Sequence, residues 1–362
     1  MKNKILVFLA FVLLVTMLGV TILGCSKSAE PSSESNSQEQ TKKQEVIELT
    51  FAHPFPATHH HHTGIIMPLV EEIKEKSNGR IIINVHPGGS ITTGTSAIDD
   101  ISSGAVDMTW TLQGYTAGRF PLTSLIEFPS HFNSAVEATE VLWTLFEESE
   151  EFQKEYGDFK VFNMYTADMG ELHTRTKPIH TPEDLNGVHL RSASPLVDKT
   201  LSAYGAASSN MPMPDVYDAL DRGIIDGLGT GPSAIPTYKL HEVLKYSTLG
   251  VNLYASPQVM AISWNAWNRL SPEDQELFES LTGRELSIKS AKYYDELSES
   301  GLKAMREAGI QIYELTPEDK AKFDEAGKKV VPDYIKELES KGFPGQQLYD
   351  RMIEIRDSLR NK

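Results

Sequence analysis

Residues 181–191 read TPEDLNGVHLR, which compresses a helix start, a stop and a strand into one short stretch. Thr181 can cap orphan N–H groups, Pro182 fits the first helical position, and Glu183 and Asp184 suit the positive end of a helix dipole. Leu185 supplies an apolar anchor, Gly187 can take the left-handed conformation that ends the turn, and Val188–Arg191 alternates as a strand. The same opening recurs at Ser271-Pro272-Glu273-Asp274 and Thr316-Pro317-Glu318-Asp319, so these acids read as helix caps rather than as reactive groups. Arg191 then falls at the carboxyl end of a strand, the edge at which ligands bind in open α/β sheets.

Around this stretch, strands and helices alternate. Strands are expected over 46–52, 80–86, 105–110 and 159–166 and through His173; helices are expected over 63–76, 96–103, 135–153, 196–204 and 215–221. Such alternation predicts crossover units and a largely parallel sheet. Residues 245–254 and 258–264 read as strands long enough to cross back between lobes, and 271–308 as a helical region lying across both. A chain of 362 residues exceeds one ordinary core and calls for two lobes. No period of twenty to fifty residues recurs, which argues against a solenoid.

The N-terminus is different in kind. Lys2 and Lys4 precede an apolar run from Ile5 to Leu23, and the chain's single cysteine follows at Gly24-Cys25. By hydropathy the run could be an uncleaved anchor, but Cys25 in this position resembles a bacterial lipobox, in which the thiol is acylated and the chain is cut just before it. One cysteine also excludes an intramolecular disulfide. The polar residues 26–45 cannot bury enough surface to fold and read as a tether, reaching roughly 25 Å as a flexible coil. Loss of Lys2 and Lys4 would take the formal charge from −16 to −18. Such a surface repels nucleic acid and anionic headgroups, while an arginine in a screened cleft can still hold an anionic ligand.

Several residues stand where a ligand could be met. His53 ends the first strand, and Trp110, Gln113 and Tyr115 follow another strand with an aromatic wall and polar donors. Arg175, two residues beyond His173, is a second candidate cation. His59-His60-His61-His62 invites a metal reading, yet four adjacent imidazoles diverge on any regular backbone, and a solvated run at a helix start is the expectation. No GxSxG elbow, HExxH pair or GxxxxGKS/T loop occurs, so a secreted enzyme finds little support and no cofactor is expected. A zinc-capturing lipoprotein using His59–His62 with His53 or His86 is the alternative binding reading.

Lys177-Pro178-Ile179, the 181–191 stretch, Met211–Leu220 and Gly223-Ile224-Ile225-Asp226-Gly227 together resemble the solute-binding proteins of TRAP transporters, the DctP-like family. Asn78-Gly79-Arg80, His86-Pro87-Gly88-Gly89 and Gly118-Arg119-Phe120-Pro121 agree in order and spacing. The resemblance implies a two-lobe, periplasmic-binding-protein-like α/β fold with crossover strands and a long helix spanning both lobes. It implies a receptor for a small organic acid, with Arg191 pairing with the ligand carboxylate, Thr230 and Tyr254 near the cleft, and TRAP permease subunits as partners. The sialic-acid branch carries an arginine shortly after the glycine that opens the second lobe; Gly170-Glu171-Leu172 departs from it. The expected plan is a lipoprotein signal peptide over 1–24 and a lipidated cysteine and tether over 25–45. Lobe I follows over 46–168 with a return segment at about 250–280, and lobe II over 169–249 with C-terminal helices at about 281–362.

Overall fold

The computed structural model describes residues 46–361; the expected signal peptide, Cys25 and tether lie outside the described residues. Gln44–Lys362 forms one compact unit. It is built on two sheets. The first joins β1 (Ile47–Ala52), β2 (Ile81–His86), β3 (Met108–Leu112), β4 (Phe159–Ala167) and β10 (Ser256–Ser263) in the order β2-β1-β3-β10-β4. The second joins β5 (Glu171–Thr174), β6 (His189–Ser192), β7 (Ala207–Asn210), β8 (Gly227–Thr230), β9 (Tyr246–Leu249) and β11 (Gln311–Glu314) in the order β11-β9-β5-β8-β6-β7.

The expected crossover units are present and both sheets are largely parallel, each carrying a single reversed strand. β10 runs antiparallel to β3 and β4, and β5 runs antiparallel to β8 and β9. The reason is the return of the chain: a segment coming back from the second lobe enters the first sheet from the cleft side, against the direction of its neighbours. The strand expected over 245–254 ends at Leu249, because Gly250 and Asn252 take positive φ values of 89° and 47° and break the extended path. The crossing is therefore made by the irregular link between β9 and β10.

Two other expectations are corrected by packing. The helix expected over 135–153 divides into Ala135–Glu148 and Glu150–Lys154, because Ser149 leaves the helix and caps the second piece by accepting the Phe152 N–H. The C-terminal helices do not all join lobe II. Val330–Ser340 and Gly345–Arg360 lay Tyr334, Leu338, Leu348, Met352 and Ile355 into the lobe I core beside the Ala135–Glu148 helix, since their apolar stripes complement that helix face. Helix Pro317–Gly327 does pack on lobe II, through Phe323.

Successive residues of β10 show how the first sheet is covered on both faces. Val259 and Ala261 join the core under helix Ala135–Glu148, while Met260 and Ile262 join the core containing Phe51, Ile83 and Trp110. The helix Arg284–Glu307 spans both lobes, packing on β4 and Ala135–Glu148 at one end and on the short helix Ala234–Thr237 at the other. The three repeated helix starts behave as caps: Ser271 and Thr316 accept the Asp274 and Asp319 N–H groups, and Thr181 and Asp184 form a reciprocal capping box.

Candidate ligand-binding site

Strand direction fixes where the site lies. β6 and β8 are parallel, so their carboxyl ends bring Arg191 and Thr230 to the same edge. The carboxyl ends of β1, β3 and β4 and the start of antiparallel β10 bring Phe55, Leu112, Asp168, Ser256 and Gln258 to face them. Together with Tyr115, Tyr238, Tyr254 and Tyr294, these side chains line a small cavity between the lobes.

The lobes touch around it. Ser194 Oγ donates to Glu127 Oε2 at 2.8 Å, the Met213 N–H donates to Tyr115 Oη at 2.9 Å, and His60 Nδ1 lies 2.9 Å from Thr237 Oγ1. Gly114 allows a close approach, because a Cβ there would stand 2.6 Å from the Ala193 carbonyl oxygen.

Arg191 is 0 % exposed, yet no carboxylate forms a salt bridge with it among the described residues. Its Nε–H donates to the Met211 carbonyl at 2.8 Å, while its Nη atoms have only long contacts, 3.4 Å to the Gly229 carbonyl and 3.5 Å to Tyr115 Oη. A guanidinium carries five N–H donors in a planar fork, so donors remain for an incoming anion. A buried cation without a counter-charge is costly, and a bidentate carboxylate would remove that cost.

The acid in the cavity wall is Asp168. Its oxygens accept from the Ser233 N–H at 2.9 Å and the Ser233 hydroxyl at 2.6 Å, and burial pushes its pKa up to about 6. Gly231 packs directly against it, with room for no side chain: a Cβ would sit 2.3 Å from its carboxyl carbon.

Of the residues singled out from sequence, Arg191, Tyr115, Thr230 and Tyr254 line the cavity. Trp110 and His53 lie beneath it: Trp110 donates to Gln258 Oε1 at 2.9 Å, and His53 Nε2 meets His62 Nδ1 at 2.9 Å. Gln113 turns into lobe I and donates to Tyr156 Oη. Arg175 lies against Gly223, away from the cavity. Asp168, Tyr238 and Tyr294 were not legible as cavity residues, since nothing local marks them.

His59, His61 and His62 are buried and His60 is half-buried, which corrects the solvated reading. His61 is 0 % exposed, held between the Trp110 and Tyr165 rings at centroid distances of 4.6 Å each. Burial, with repulsion between neighbouring imidazoles, drives the pKa of His59 and His61 well below the ordinary value; burial leads in lowering His53 and His60 to about 3. The rings are thus neutral, and His61 serves as aromatic packing. Among the described residues, no group of three or more His, Cys, Asp or Glu side chains is arranged to hold a metal ion.

Among the described residues no helix is long and apolar enough to cross a membrane. Residues 51–337 match the family described as bacterial extracellular solute-binding protein, family 7. The chain is 24% identical to the 2,3-diketo-L-gulonate-binding periplasmic protein YiaO of Escherichia coli, over 74% of this chain and 80% of that protein. It is 25% identical to a monocarboxylate 2-oxoacid-binding periplasmic protein of Nostoc, over 80% and 79% of the two chains. A marine-metagenome TRAP solute-binding protein specific for aromatic acid ligands, solved with metahydroxyphenylacetate, superposes with a TM-score of 0.83 at 27% identity, covering 87% of this chain and 99% of that one. Two sheets with a cleft between them, a cavity at the strand ends and a family match across most of the chain converge: this chain belongs to the bacterial extracellular solute-binding proteins of family 7, the TRAP-type solute receptors, which bind solutes rather than transform them.

Proposed function

We propose that this chain is a lipid-anchored extracytoplasmic receptor that captures an aromatic monocarboxylate on Arg191 and delivers it to a TRAP permease. The observation that carries the reading is the buried Arg191 guanidinium, which faces the cavity with unused donors and no carboxylate partner. The aromatic body is argued from the walls: Phe55, Tyr115, Tyr238, Tyr254 and Tyr294 offer flat, mostly apolar surface, and the Gln258 oxygen is already taken by Trp110 and Tyr165. The relative that superposes with a TM-score of 0.83 is specific for aromatic acids, which supports this ligand class. A second carboxylate on the ligand would find no cation among the described residues of the cavity, and Asp168 would oppose it. Closure follows from contacts that the ligand makes with both lobes, which shift the population toward the closed form. Docking on the permease and attachment through Cys25 belong to the same reading, the latter carried by Gly24-Cys25 after the apolar run.

The test is a thermal-shift and calorimetric screen of residues 44–362 against benzoates, phenylacetates, dicarboxylates, 2-oxoacids, sugars and zinc. An aromatic monocarboxylate at a hundredfold excess over its Kd raises stability by about 2.7 kcal/mol, and Arg191→Ala abolishes the shift. A shift with dicarboxylates alone, or one that survives Arg191→Ala, would overturn the proposal.

A further inference from the structure

We infer that the cavity reads a second feature of its ligand, a hydrogen-bond donor such as a ring hydroxyl, which it receives on Nε2 of His60. This rests on the reading of Arg191 as the carboxylate site and adds the chemistry of the ligand's other polar group.

The argument follows protons. Thr237 Oγ1 donates to the Ser233 carbonyl, 3.0 Å away and one helical turn back. A carbonyl can only accept, so the single hydroxyl proton of Thr237 is committed to that contact. His60 Nδ1 lies 2.9 Å from the same hydroxyl oxygen, which can then only accept, and the proton between them belongs to His60 Nδ1. Burial keeps this imidazole neutral, holding its pKa to about 3. A neutral ring with its proton on Nδ1 presents a bare lone pair at Nε2. That nitrogen is buried and has no hydrogen-bond partner among the described residues.

His60 lines the cavity that contains Arg191, so the lone pair belongs to the binding site rather than to a closed core. Its neighbours leave the nitrogen unserved: the rings of His59 and Tyr294 stand at centroid distances of 4.2 and 4.7 Å and pack against the imidazole as aromatic surfaces. An ether, carbonyl or second carboxylate at this point would set lone pair against lone pair. A hydroxyl or amine would satisfy it. The cavity thus couples an anion-binding fork with a neutral acceptor, a pairing that suits a hydroxy- or amino-substituted aryl carboxylic acid. Thr237 is the positioning residue, because it fixes which imidazole nitrogen carries the proton.

The experiment is titration calorimetry of residues 44–362 with benzoate and phenylacetate, their ring-hydroxylated isomers and the corresponding methyl ethers. One hydroxyl isomer is expected to bind at least about tenfold more tightly than its methyl ether, the scale of one good hydrogen bond. His60→Phe should bring that ratio close to one, Thr237→Val should lower it, and Thr237→Ser should restore it. If aromatic acids bind and no hydroxyl isomer exceeds its ether, the His60 inference fails while the Arg191 reading stands. If no aromatic acid binds, the ligand reading fails and takes this inference with it. Should His60→Phe not fold, nitrogen NMR of the native protein decides: an Nδ1–H tautomer whose Nε2 signal moves on adding the hydroxy acid supports the assignment, and an Nε2–H tautomer overturns it.

Discussion

At the scale of the residue, the site depends on one charge and the groups that crowd it. Arg191→Lys is expected to weaken binding by at least about tenfold, because an ammonium cannot reproduce two parallel N–H donors to a carboxylate; calorimetry that finds unchanged affinity would show that no bidentate pair forms. Gly231 tests the wall opposite. Adding a methyl group there pushes directly on the Asp168 carboxyl, which Ser233 holds through two hydrogen bonds. Gly231→Ala should therefore lower ligand affinity about tenfold, an effect on the scale of overpacking costs, with the fold retained by circular dichroism.

At the scale of the element, two features set how the long helix and the histidine turn are seated. Gly301 sits within helix Arg284–Glu307, where glycine ordinarily costs about 0.5–1 kcal/mol relative to alanine. It is required by contact, since a Cβ there would lie 2.2 Å from the Pro232 carbonyl oxygen of lobe II. Gly301→Ala should reduce stability by about 1–3 kcal/mol in denaturant unfolding despite its better helix propensity; a stabilised variant would show that the helix does not approach lobe II this closely. The histidine turn has a related cause. Pro68 cannot donate to the Gly64 carbonyl, and the preceding residues His62–Ile66 widen into a π-helical turn that begins at the last histidine of the run.

Burial of His61 makes stability depend on pH. The folded pKa of His61 lies well below the unfolded value of 6.5, so its stabilising contribution is complete above 6.5 and is lost as pH falls below it. His61→Phe keeps a ring between Trp110 and Tyr165 and removes the titration. Relative to the variant, the native chain should lose up to about 1.4 kcal/mol per pH unit below pH 6.5, and the two unfolding profiles should run parallel above it. Parallel profiles at pH 5 would mean that the ring reaches solvent.

At the scale of the whole molecule, the receptor reading joins a closed cleft to a tether. Cys25 tests the tether independently of the cleft: a clickable fatty-acid label fed to expressing cells should enter the native chain and be lost in Cys25→Ser. Equal labelling of both would reject acylation at this residue.

Much of the architecture was written locally. Caps at Thr181, Ser271 and Thr316, the turn at Gly187 and the position of Arg191 at a strand end all follow from interactions within a few residues, which is why they could be read from order alone. Alternation along a strand, by contrast, gives two faces without saying which one meets the ligand, and so Gln113 and Arg175 were drawn toward a cavity that neither lines. The histidine run looked solvated because burial is a property of neighbours: Trp110, Tyr165 and Met260 cover it from other segments. Asp168, Tyr238 and Tyr294 converge for the same reason. The sequence by itself determined the family, the caps and strands, and the arginine at the strand end; the tertiary structure alone decided which distant side chains close around that arginine, because a cavity is made by segments whose separation in the chain no local pattern encodes.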